Sequence, residues 1–178
     1  DSLELATKFC HENGLEIFFT HRINDIHDSM PGSEWELCTW KREHPEYLLG
    51  PKENWAKIRN GNDPRSWWSA MDFEKPPVIE KLLAMHEEIL RKYDIDGIEI
   101  DYFRSPMFFK PNLTYKPATK KQVAIMTAFQ RRVRELAYEA GNRRGRPVLV
   151  GARVPMSAKA CLHVGIDIEG WLDQGLLD

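Results

Sequence analysis

The stretch Asp96-Gly-Ile-Glu-Ile-Asp-Tyr-Phe-Arg104 constrains the fold of this chain more than any other. Ile98 and Ile100 alternate with Glu99 and Asp101, the period-two pattern of a strand with two unlike faces. A helical run precedes it, from Pro77 to Tyr93, and another begins near Thr119. A strand set between helices is normally parallel and covered on its outer face. Ile98 and Ile100 then lie under the helices and both carboxylates point the other way. Buried, unpaired acids cost roughly several kcal/mol, so that face must supply cations, hydrogen bonds or solvent.

The same reading extends along the chain. Ser2 can cap a first helix bearing Leu5, Ala6, Phe9 and Cys10 on one face, with Gly14 as its terminator. Leu15 to Arg22 alternates as a strand. Residues 23 to 66 show neither period; they hold Pro31, Trp35, Trp40, Trp55, Asn60, Gly61 and Pro64. A loop of this length is usually functional or disordered, and three tryptophans argue against disorder. A short strand is expected over Trp68 to Phe73. Val78, Leu82, Met85, Ile89 and Tyr93 form the apolar stripe of the next helix. Thr119 caps a longer helix with Ile125, Met126, Phe129, Val133, Leu136, Ala137 and Ala140 inward and Gly141 at its end. Pro147 to Pro155 is a further strand, a short helix follows from about Ile166 to Gln174, and Gly175 to Asp178 reads as entry to another strand.

Alternating helices and strands imply a parallel sheet, either closed as a barrel or open and doubly wound. No glycine-rich phosphate motif follows any strand, which removes the usual nucleotide-binding reading. Polar residues recur on the inner face: Glu16, Thr20, Arg22, Asp72, Glu99, Asp101 and Arg153. An open sheet covered by helices on both faces would bury them, so the expectation is a (β/α)8 TIM-barrel type, present as a partial barrel of about four parallel strands spanning residues 1–178. Sites in such barrels lie at the carboxyl ends of the strands, where this chain places Arg22, Asn24, Asp72, Asp101, Arg104 and Arg153.

Two strand rises separate Glu99 from Asp101 by about 6.6 Å. Glu99 reads as an interior acid paired with Arg22 or Arg153, and Asp101 as the reactive group. Flanking arginines suit a nucleophile or base better than an acid. Trp35 and Trp40 offer flat apolar faces with a polar edge, and His27 and Asp28 could line the pocket. Trp67 and Trp68, like Phe108 and Phe109, are open to either packing or cleft roles. His21 falls with the helix-facing residues, which reads as structural. No metal is assigned, though a metal-dependent reading would use His27, Asp28 and Asp101. Asn112-Leu-Thr114 matches the short N-glycosylation pattern.

The segment Asp96 to Arg104 resembles the fourth-strand signature of family-10-like glycosyl hydrolases of bacteria. Gly14-Leu-Glu-Ile-Phe-Phe-Thr-His-Arg-Ile-Asn-Asp-Ile-His-Asp28 is similar to their second strand, and Val150-Gly-Ala-Arg-Val-Pro155 to their fifth. The resemblance implies a barrel acting on glycosidic bonds, with the first strand and the last strands missing here. It implies a carbohydrate partner, no cofactor, and a periplasmic or secreted setting. Glycoside hydrolysis typically uses two carboxyl groups; Asp101 is one, and Asp72 is the strand-end partner in view. Arg22, Asn24, His27, Asp28, Trp35, Trp40, Glu99, Arg104 and Arg153 are the expected substrate-binding residues. The resemblance does not extend to the Asn-Glu-Pro pattern of many xylanases. A non-catalytic carbohydrate-binding barrel is the alternative.

Composition bounds these readings. Of 178 residues, 42% are hydrophobic and 29% charged, enough for one domain with a substantial core. A formal net charge of −2 argues against a nucleic-acid binder. No apolar run reaches the length of a membrane span. The chain starts on Asp1 without an initiator methionine, which leaves its compartment open. Cys10, Cys38 and Cys161 are too few and too widely spaced for a disulfide framework.

Overall fold

The computed structural model describes residues 1–30, 32–51 and 66–178. Of the long-loop residues singled out above, Pro31, Trp55, Asn60, Gly61 and Pro64 lie outside the described residues. The described residues form helices α1 (Ser2–Glu12), α2 (Thr39–Glu43), α3 (Pro76–Lys92), α4 (Lys120–Arg144), α5 (Ala158–Val164) and α6 (Ile168–Asp173), and strands β1 (Phe18–Arg22), β2 (Gly97–Asp101) and β3 (Leu149–Arg153). The strands make one parallel sheet in the order β1-β2-β3.

This corrects the expected partial TIM barrel. Three strands cannot close on themselves, and the fourth expected strand, Trp68 to Phe73, is not one. Its backbone pairs with the loops around it: Asp72 N–H donates to Tyr47 (2.8 Å), Phe73 N–H to Phe108 (2.9 Å), and Leu49 N–H to Ala70 (2.7 Å). Among the described residues, a single antiparallel bridge, Leu48 to Met71, is all the ladder it makes. The premise behind the barrel also fails. Most polar residues on the second face need no enclosure, because Thr20, Arg22 and Arg153 are exposed and Glu99 half-buried; Asp101 alone among them is buried, and it is paired.

The other face is the core. Ile98, Ile100 and Val150 are fully buried with Leu82 and Leu90 of α3 and Met126, Phe129 and Val133 of α4. The buried stripe of α3 runs Val78, Leu82, His86, Leu90, so Met85 turns outward and a histidine takes an inward place. In α4 the expected stripe is largely present, joined by Gln122 and Gln130; Thr119 makes a capping box with Gln122. That helix passes Gly141 and ends at Gly145, whose φ of 69° is the left-handed geometry favoured at a helix end. Asp1, not Ser2, caps α1, and Leu5 and Phe9 of that helix are exposed. Phe18 lies across Gly97, where a Cβ would collide with its ring. Asp178 N–H donates to Val150 (3.0 Å) and so continues onto the outer edge of β3. No helix among the described residues is long and apolar enough to cross a membrane.

Candidate functional site

Strand register fixes the centre of the site. Arg22, Asp101 and Arg153 are Cα partners across β1, β2 and β3, so they form a row at the carboxyl edge, on the face away from α3 and α4. The Asp101 side chain is 0% exposed. Its Oδ1 accepts the backbone N–H groups of Phe103 (3.0 Å) and Arg104 (2.9 Å), and its Oδ2 accepts Arg153 Nη1 (2.9 Å). The first two bonds arise because the chain turns sharply after β2, bringing successive N–H groups back onto the carboxylate.

A second group meets this row. Asp25 Oδ1 accepts the backbone N–H of His27 (3.0 Å) and bonds His27 Nδ1. His27 Nε2 lies 2.8 Å from Arg104 Nη2. A guanidinium only donates, so Nε2 must accept; the His27 proton is therefore on Nδ1, aimed at Asp25. Arg22 Nη1 stands 3.8 Å from Asp25 Oδ2. Burial pushes the Asp25 carboxyl up, but the hydrogen bonds from His27 and the charge of Arg22 outweigh it and hold the group below its ordinary range. The result is one continuous chain of contacts: Arg22, Asp25, His27, Arg104, Asp101, Arg153.

Of the expected site residues, the structure brings together Arg22, His27, Asp101, Arg104 and Arg153. Others hold the surrounding loops. Asn24 is buried, accepting Met71 N–H (2.8 Å) and donating to the Met107 carbonyl. Asp28 accepts Lys41 Nζ (2.7 Å) and Ser69 Oγ, while Lys41 also reaches the Asp25 carbonyl (3.0 Å). Glu99 pairs with neither arginine; it accepts Thr20 Oγ1 (3.3 Å). Trp40 is half-buried and stacks among His44 and Tyr47, whereas Trp35 is 77% exposed. Trp68 is buried with its indole N–H on the Ser29 carbonyl (3.3 Å), and Phe108 and Phe109 are core. Trp67 is half-buried against the cluster of Ile26, Leu49 and Ala70.

Asp72 is buried, with Oδ1 accepting Glu74 N–H (3.1 Å) and Lys110 Nζ 3.9 Å from Oδ2. Burial pushes its carboxyl above the ordinary range against the opposing pull of the Glu74 N–H and Lys110. Among the described residues it shares no polar partner with Asp101.

His27, Asp28 and Asp101 do not converge on a point, and among the described residues no group of three or more histidine, cysteine, aspartate or glutamate side chains is arranged to hold a metal ion. His21 bonds His86 instead (2.8 Å), on the helix side. A separate hollow of about 390 Å³ lies between α4 and the start of β3, lined by Arg134, Tyr138, Arg146 and Pro147 among others. Its carboxylate, Asp178, is neutralised by Arg134, and no rim residue reaches it.

Asp25 was missed in the sequence as a site residue. Its position two before His27 and three after Arg22, directly following a strand, is the spacing of a side chain that bonds its own backbone two residues on. Compared with known proteins, the chain matches no family model and no curated protein. The resemblance carried by the three strand motifs rests on those residues alone.

Proposed function

We propose that this chain acts on the glycosidic bonds of a poly- or oligosaccharide, with Asp101 as nucleophile or base. The observation that carries this reading is the register-aligned row Arg22, Asp101, Arg153 at the carboxyl edge of a solvent-open sheet face. Neighbouring strands stand about 4.8 Å apart, so the row spans about 10 Å, the scale of one or two sugar rings. A carboxylate offers about four acceptor positions. Three are engaged at Asp101, leaving one on Oδ2 beneath Arg153. Because the Arg153 side chain is 56% exposed, a sugar can draw it aside and uncover that position. Asp72, the second acid expected from the sequence, is buried with its carboxyl raised by burial, and it is not among the residues that the rim brings together.

A second reading, glycan binding without cleavage, is favoured by the complete burial of the Asp101 carboxylate. A panel of oligosaccharides, assayed for both binding and product release with the wild type and Asp101→Asn, separates the two. Product released by the wild type and lost in the variant supports hydrolysis; binding without product in either supports the second reading.

A further inference from the structure

The arginines of the rim are not equivalent. Arg153 is matched by Asp101 at 2.9 Å and Arg22 by Asp25 at 3.8 Å. Arg104 meets only the neutral Nε2 of His27, at 2.8 Å, and has no carboxylate partner among the described residues. Glu99, the other acid of this face, lies about 6.6 Å down the strand from Asp101 and is held by Thr20. A positive charge is thus left unmatched at the rim while its guanidinium is held in place. His27 orients it, Asp25 fixes the tautomer and direction of His27, and the Arg104 backbone N–H is anchored on Asp101. A held donor with an uncommitted charge loses little freedom when an anion arrives. The planar guanidinium suits two-point contact with a carboxylate or sulfate.

We propose that Arg104, on the rim that also carries Arg22 and Arg153, recognises the anionic group of an acidic saccharide, a carboxylate or a sulfate ester. This rests on the glycan reading above and names its substrate class. His27 and Asp25 are positioning residues in it: they aim Arg104 and touch no reacting atom.

The test is calorimetric titration of the full chain with three probes: a trigalacturonate, its methyl ester, and a sulfated galactose oligomer, with inorganic sulfate alone as control. The acid is expected to bind at least about tenfold more tightly than the neutral ester, a difference of about 1.4 kcal/mol. Arg104→Gln should erase that preference and Arg104→Lys should keep part of it. His27→Ala should reduce the preference for the acid over the ester, which a merely structural role would not do. Arg104 is exposed, and an unfolding curve for each variant is the check that it remains folded. Tighter binding of the sulfated oligomer, dependent on Arg104, also supports the inference and assigns the anion to sulfate. Equal affinity for acid and ester without a gain for the sulfated oligomer, a preference that survives Arg104→Gln, or no binding of any oligosaccharide overturns it. Inorganic sulfate binding as tightly as the oligosaccharides overturns the saccharide assignment. Acid-selective binding without cleavage keeps this inference and removes the hydrolase reading; cleavage of neutral glycans with no acid preference does the reverse.

Discussion

Arg153 donates to Asp101 across the β2–β3 register at 2.9 Å, and the two side chains sit in opposite environments: the arginine is more than half exposed, the aspartate wholly buried. An exposed arginine would ordinarily be worth little to stability. Here its loss leaves a buried carboxylate without its charged donor, and that desolvation is what costs. Arg153→Met is therefore expected to lower stability by about 1–3 kcal/mol in chemical denaturation, and Arg153→Lys by less. A change below about 0.5 kcal/mol for Arg153→Met would mean that Asp101 does not depend on this partner.

Trp35 and Trp40 divide the two roles that sequence alone leaves together. Trp35 is exposed, and Trp40 packs within 5.6 Å of His44 and 5.5 Å of Tyr47. Trp35→Ala should leave stability within about 0.5 kcal/mol while weakening glycan binding. Trp40→Ala should cost about 1–3 kcal/mol, short of the full core value because the ring is half-buried. Denaturation and binding measured on both variants check the division. Equal stability loss in the two would refute it.

Asp28 and Lys41 form a pair whose side chains are about one-tenth exposed, closed further by Ser69 Oγ. Removing one member strands the other, so Lys41→Met is expected to cost about 3–5 kcal/mol. Replacing both by apolar residues should recover most of that loss. The unfolding free energies of the single and double variants make the comparison, and a neutral single variant would contradict it.

His86 is fully buried on the core side of α3, where burial and the neighbouring His21 push its pKa from 6.5 down to about 3; burial lowers His21 too. His86 Nδ1 has no hydrogen-bond partner among the described residues. An unpaired acceptor is tolerated better than an unpaired N–H, so the His86 proton belongs on Nε2, donated to His21. Between about pH 6.5 and 3 the unfolded chain takes up a proton here that the folded chain refuses. The stability contribution is whole above pH 6.5 and is lost as pH falls through that window. The slope from this site approaches about 1.4 kcal/mol per pH unit. His86→Leu should flatten that part of the curve, and an unchanged slope would argue against a neutral buried histidine.

Much of this architecture was legible in the residues. The alternation of Ile98 and Ile100 with Glu99 and Asp101 assigns β2 and its two faces, and the stripe from Met126 to Ala140 assigns α4. Thr119 with Gln122 marks where that helix begins. The failure came at Trp68 to Phe73, expected as a short strand, where the backbone bonds go to Tyr47 and Phe108, contacts between segments far apart in the chain. Local periodicity carries no information about such partners. The same limit hid the pairing of Glu99 with Thr20, of Lys41 with Asp28, and of Arg104 with His27, 77 positions away. Register puts the strand-end residues Arg22, Asp101 and Arg153 in one row, whereas Asn24 and Asp72 bond loop backbone instead; which charge each residue faces does not follow from strand ends.

The most direct test of the proposal for Asp101 is product release from an oligosaccharide panel by the wild type and Asp101→Asn at equal protein concentration. Asparagine keeps the Oδ1 acceptor for Phe103 and Arg104, so the turn after β2 should persist. If Asp101 is the nucleophile or base, the variant should lose about 10²–10⁴-fold in rate with its fold intact. Cleavage at the wild-type rate by a folded Asp101→Asn protein would contradict it.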